Sequence, residues 1–166
     1  MGFAVVHWTM TIQDRMTGWL DHAFHSEFRF LLVHSLARFN IGCAAYCMMP
    51  DHVHLLMVGM SASSDQKACV RHFRLHTGRL LRSHRVAWQK QAFDHVLREN
   101  ERDQNAFAEI AGYILQNPVR AGLVEHHQAW PFSGGLIPGY PDLEIESGEY
   151  WSRFWRVVHA ERQRNK

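Results

Sequence analysis

Three groupings of side chains in this sequence have the types and spacing that chemistry requires. The first is His52-Val53-His54. In an extended strand, residues two apart point to the same face, so the two imidazoles project side by side while Val53 and Leu55 turn away. Two imidazoles so placed can chelate one divalent cation. Taken alone, the tripeptide is more often an incidental pair on a sheet. The second grouping is Tyr113 and Asn117, four apart in a segment of helical spacing and therefore on one face about a turn apart. A phenol is a weak nucleophile near neutrality. With a pKa of ~10, forming the phenolate at pH 7 costs about 4 kcal/mol at ~1.4 kcal/mol per pH unit. A metal ion that polarises a phosphate lowers that demand. Attack on a phosphodiester would leave a covalent phosphotyrosine, which conserves the bond energy for rejoining. Spacing alone more often describes a tyrosine packed at a helix–sheet interface with its hydroxyl at the edge.

The third grouping is cationic. The net charge is only +2, yet Lys67, Arg71, Arg74, Arg79, Arg82, Arg85, Lys90 and Arg98 fall in one stretch whose single acid is Asp94. At about 100° per residue, Lys67, Arg71, Arg74, Gly78, Arg82 and Arg85 share a narrow arc. Cys69, Val70, Phe73, Leu80 and Leu81 form the adjoining apolar flank, and Leu75 is an exception on the polar side. A ridge of one sign suits the phosphates of an anionic polymer. Trp88, Phe93 and His95 follow at once and could stack on bases, although Trp88 and Phe93 suit a core equally well. A second cluster, Arg153, Arg156, Arg162, Arg164 and Lys166, closes the chain.

The elements that must position these groups can be read from periodicity and punctuation. Phe3 to Ile12, Ile41 to Met48 and His52 to Met60 have the β-branched and aromatic content of strands, and the last two are joined by the turn-like Met49-Pro50-Asp51. Phe93 to Arg98 reads as a short fourth strand. Helical spacing runs from Trp19 to Phe39, and from Asp65, a candidate N-cap, to Ser83. A third helix is expected from Arg102, ending near Asn117 because the residue before a proline avoids the α region. Gly- and Pro-rich residues 131–146 are expected as loop, followed by an amphipathic helix over Ser147 to Arg162. The order β-α-β-β-α-β with further helices suggests one antiparallel sheet with helices on one face.

The bulk numbers set bounds. A chain of 166 residues, 46% apolar, is the size of one ordinary domain with a two-layer core. We expect a single catalytic domain over 1–166, with 131–166 as loop plus a C-terminal helix extension. No apolar run reaches the ~18–20 residues that span a bilayer, and no signal peptide is evident, so no membrane partner is expected. Cys43, Cys47 and Cys69 contain no CxxC pair and read as reduced core thiols of a cytoplasmic protein. The thirteen histidines single out none by number alone.

Three blocks occur in a telling order: MPDHVHLL from Met49 to Leu56, Trp88-Gln89 with FDHVLR from Phe93 to Arg98, and YILQNPVRAGLV from Tyr113 to Val124. Together they resemble the bacterial REP-associated tyrosine transposases, which are related to the transposases of single-strand insertion sequences within the His-hydrophobe-His superfamily. The segment before Met49 carries no matching block. The resemblance implies an α+β, ferredoxin-like antiparallel sheet with helices on one face and extra C-terminal helices. It implies a Mg²⁺ or Mn²⁺ site at His52 and His54, with Asn117 where related enzymes carry a polar third ligand; Gln116, about 100° round the helix, is the adjacent alternative. It implies that Tyr113 is the nucleophile, forming a 5′-phosphotyrosine and freeing a 3′-hydroxyl. The implied substrate is single-stranded DNA with a hairpin of the repetitive extragenic palindrome type, cut beside a short tetranucleotide by a monomer or homodimer. Lys67, Arg71, Arg74, Arg82, Arg85, Lys90, His95, Arg98 and Arg120 are the expected DNA-binding residues. The competing expectations are a non-catalytic hairpin-binding regulator and, against the evidence of the basic ridge, a small-molecule phosphodiesterase.

Overall fold

The computed structural model describes residues 2–97, 104–141 and 143–165. Its first half is a β-α-β-β-α-β unit: β1 (Val5–Thr11), α1 (His22–Arg38), β2 (Ile41–Met49), β3 (His52–Gly59), α2 (Gln66–Ser83) and β4 (Phe93–Val96). Both helices begin where a carboxylate caps the first turn. Asp21 accepts from the Phe24 amide at 2.7 Å, and Asp65 from the Ala68 amide at 2.9 Å. All described strand pairings are antiparallel, and the sheet runs β4-β1-β3-β2-β5.

The helices of this unit cover one sheet face, as expected. Phe24, Phe28, Leu32 and Leu36 of α1 and Val70, Phe73 and Leu81 of α2 pack with Trp8, Met10, Val53, Leu55 and Met57. The extra helices, α3 (Gln104–Leu115) and α5 (Tyr150–Arg164), cover the other face. There Phe107, Ile114, Tyr150, Phe154 and Val158 pack with Val5, Ala44, Cys47, Leu56 and Val58. Helices on one face therefore holds for the β-α-β-β-α-β unit and not for the whole sheet. This double cover is why all of β2 is buried.

One local expectation needs correction. Residues 131–146 are not all loop: β5 (Ser133–Leu136) pairs with β2, so the C-terminal part supplies a fifth strand rather than an appended tail. The third helix ends at Leu115, near Asn117 as expected. A short helix, α4 (Asn117–Arg120), follows α3 at once, with Pro118 in its first turn, where a missing N–H costs nothing. The expected helix start at Arg102 lies outside the described residues.

Cys43, Cys47 and Cys69 are buried and unbridged. No helix among the described residues is long and apolar enough to cross a membrane.

Candidate functional site

β3 places His52 and His54 on one face, and the register explains their neighbours. His52 lies opposite Thr11 on β1 and Met49 on β2, and His54 lies opposite Thr9 and Cys47. Their Nε2 atoms are 3.1 Å apart, with the rings nearly perpendicular at 88°. Each Nδ1 is already engaged. That of His52 meets Asp51 Oδ1 at 2.6 Å; that of His54 meets His7 Nε2 at 3.1 Å and Thr9 Oγ1 at 3.2 Å. Such contacts fix the tautomer and orientation of a ring and leave its other nitrogen as the atom that could ligate a cation. Asp51 is held in turn by Arg15 Nη1 at 3.0 Å. Burial works against ionisation of Asp51, but the hydrogen bonds from His52 and Arg15 prevail and keep its carboxyl below the usual range.

His7, Thr9 and Asp51 were missed in the sequence. His7 and Thr9 have the period-two spacing of a shared face, but only the pairing of β1 with β3 connects them to His54. Asp51 adjoins His52 and was read only as a turn residue.

Burial first, then the neighbouring His52, His7 and Arg120, push His54 down to about 3. Burial, Arg29 and His22 push His25, bonded to the Tyr46 hydroxyl at 2.9 Å, down to about 4. Both are neutral in the folded chain at pH 7, whereas unfolded histidine titrates near 6.5. Between those values the unfolded state binds more protons. Stability is therefore full above about pH 6.5 and is lost as the pH falls toward 4 and then 3. The midpoint of urea unfolding should fall between about pH 7 and pH 4.5, and His25→Gln, which cannot take the proton, should lessen the fall. A flat profile in the intact chain would contradict these assignments.

Tyr113 and Asn117 sit where α3 passes into α4, joined by Arg120. The Arg120 guanidinium lies 3.7 Å from the centre of the Tyr113 ring, and its Nη2 donates to the Tyr113 carbonyl and to Asn117 Oδ1, both at 2.9 Å. Asn117 Nδ2 donates to the Ile114 carbonyl at 2.9 Å. The Arg120 charge also helps to depress His54, so the guanidinium is within electrostatic reach of the histidine pair. Among the described residues, Asn117 makes no hydrogen bond to either histidine. The Asn117 oxygen accepts from Arg120, which leaves it one further lone pair. The Tyr113 side chain is 58% exposed.

The basic residues divide into groups. Lys67, Arg71, Arg74 and Lys90 line a cleft of about 910 Å³ between α2 and β4, together with Trp8, Phe93 and Asp94. Arg74 is only partly available, because its guanidinium donates to the Gln89 and Lys90 carbonyls and tethers that loop. Arg85 leaves the ridge: α2 ends at Ser83, and Arg85 lies beyond it at φ +60°. With Arg82 it lines a separate hollow beside Gln13, Asp14 and Met16. His95 is on β4 opposite His7, on the histidine face. Arg120 belongs with Tyr113, away from the cleft. Arg98 lies outside the described residues. Cleft and histidines occupy opposite faces of the sheet, since α2 packs on Val53 and Leu55 whereas His54 alternates with them. Among the described residues, no three His, Cys, Asp or Glu side chains gather into a metal cluster.

A Haemophilus influenzae protein named as a candidate REP-associated tyrosine transposase is 27% identical to this chain over 162 aligned positions, spanning 83% of the chain and 89% of the relative. The resemblance to REP-associated tyrosine transposases holds. A solved REP-associated tyrosine transposase, bound to a REP hairpin, matches with a TM-score of 0.68 at 19% identity, over 80% of this chain and 77% of its own. That likeness to the transposase is one of fold. No protein-family model matches the chain.

Proposed function

We propose that this chain cuts and rejoins single-stranded DNA beside a hairpin, through a 5′-phosphotyrosine at Tyr113 and with a divalent cation at His52 and His54. The observation that carries the reading is the convergence of two imidazole Nε2 atoms at 3.1 Å, each ring being held from behind through Nδ1. An octahedral ion with bonds of about 2.1 Å sets adjacent ligands about 3 Å apart, so the donors fit. Two imidazoles favour Mn²⁺ over the more oxygen-seeking Mg²⁺. Asn117 is the third candidate donor, and its carbonyl has a second lone pair beyond the one Arg120 engages. The similarity to a named transposase supports the reaction class, and the hairpin bound by the structural neighbour supports the substrate.

When bound, the cation would polarise the scissile phosphate and stabilise its developing charge. The Tyr113 oxygen forms the bond to phosphorus while the bond from phosphorus to O3′ breaks. The phenol proton passes to solvent, and the departing 3′-oxygen takes one up. Rejoining reverses the step: a 3′-hydroxyl attacks the phosphotyrosine and the phenol is released. Arg120 holds the Tyr113 ring by a cation–π contact.

Labelled hairpin DNA with single-stranded flanks should form an adduct with the chain that survives denaturation, in Mn²⁺, less so in Mg²⁺, and not in EDTA. Tight hairpin binding with no adduct under either ion would favour the non-catalytic regulator instead. One observation supports that second reading: the Asn117 oxygen is engaged by Arg120. His7→Ala should weaken Mn²⁺ binding by about 10- to 100-fold, measured by calorimetry, and leave hairpin affinity intact. Unchanged Mn²⁺ affinity would remove His7 from the site.

A further inference from the structure

β4 is the edge of the sheet, and all four of its residues are exposed. On one side of it lies the cationic cleft, where Lys67, Arg71 and Lys90 present exposed charge. On the other sheet face lie the histidines. A polyanion that occupies both can pass over the β4 edge.

The residue at that crossing is Phe93. It lines the cleft and is 65% exposed, an unusual position for a large apolar ring. It pairs with Thr9, which pairs with His54, so the three residues form one row across β4, β1 and β3, and the Phe93 side chain is on the histidine face of the edge while the residue borders the cleft. Two strand spacings of about 4.8 Å put the Phe93 backbone roughly 10 Å from that of His54. The other aromatics near the cleft are committed elsewhere. Trp8 is buried, with its Nε1 donating to Gln66 at 3.1 Å. Trp88 donates to Thr77 Oγ1 at 3.0 Å and packs edge-on against Trp19. Phe93 alone of these three presents an open ring.

Resting on the function proposed above, we infer that Phe93 is a stacking platform for a base of the single strand as it passes from the cleft over the β4 edge to His52 and His54. Cations on one side of the β4 edge and an open ring on the other supply what a single strand crossing that edge requires: charge for the backbone before the crossing and a π-face for a base after it. An acidic peptide would use the cations and leave the ring unpartnered.

The test uses the full chain in EDTA, so that binding is read without cleavage. Two DNAs are compared, a hairpin with a single-stranded flank carrying 2-aminopurine and the same stem with a blunt end. Phe93→Ala should weaken the flanked hairpin about 10-fold, in keeping with ~1–3 kcal/mol per stacked base, and leave the blunt stem nearly unchanged. The intact chain should quench 2-aminopurine, and Phe93→Trp should retain both affinity and quenching. Equal losses on both DNAs, no loss on either, or no quenching would overturn the inference while leaving the enzymatic reading standing. Failure of the intact chain to bind either DNA would overturn both. The melting temperature of Phe93→Ala should match that of the intact chain, since the side chain is mostly outside the core.

Discussion

Tyr113→Phe should abolish the covalent DNA adduct and lower strand cleavage by at least about 10⁴-fold, the scale on which removal of a nucleophile acts. The substitution deletes one oxygen. The ring remains available to the Arg120 guanidinium, and Arg120 still has the Tyr113 carbonyl and Asn117 Oδ1 as acceptors. The side chain is exposed, so folding should be untouched. Hairpin affinity in a gel-shift assay should stay within about twofold, because phosphate contacts dominate nucleic-acid affinity. Denaturing electrophoresis reads the adduct directly. An adduct of undiminished yield in Tyr113→Phe would assign the nucleophile elsewhere and end the mechanism proposed for this site.

Gly135→Ala should cost the fold about 3 kcal/mol. A Cβ on Gly135 would lie 2.1 Å from the Tyr150 hydroxyl oxygen and 3.0 Å from the Ala44 carbonyl oxygen. Tyr150 is fully buried, and that same hydroxyl donates to the Ala44 carbonyl at 2.5 Å. Neither partner is the loose end of a flexible chain, so β5 or α5 must move. Overpacking costs about 1–3 kcal/mol, and a lost hydrogen bond adds about 1 kcal/mol. At about 2–4 °C per kcal/mol, calorimetry should record a fall of roughly 6–12 °C. Tyr150→Phe in the Gly135→Ala background removes the clashing oxygen and should recover a good part of the loss. A melting temperature unchanged by Gly135→Ala would mean that β5 does not approach Tyr150 as described.

These positions also explain what could be read from the sequence. The histidine pair was legible because a strand's period of two is local: His52 and His54 share a face whatever β3 pairs with. The roles of His7 and Thr9 depend on the alignment of β1 against β3, about forty-five positions away in the chain, which no local pattern carries. β5 was illegible for a related reason. Ser133-Gly134-Gly135-Leu136 lacks β-branched residues, and its glycines admit the Tyr46 and Tyr150 rings rather than prefer a strand. The basic ridge was legible as far as the helix extends, and Arg85 left it where α2 stopped. The end of α3 at Leu115 was legible from Pro118, whereas the short α4 was not, because a proline is tolerated in a first turn.

The packing of Phe107 carries a practical lesson for anyone trimming this protein. On α3, Phe107 meets Trp151, Phe154 and Trp155 of α5, so the helix that ends near Tyr113 is roofed by the last helix of the chain. The histidines and the tyrosine thus depend on different stretches of polypeptide, and α5 is the clasp between them. A minimal fragment cut after β4 would contain the two histidines and lack Tyr113, the nucleophile proposed above. Fusions and tags at the C-terminus should therefore be judged by whether they disturb that roof.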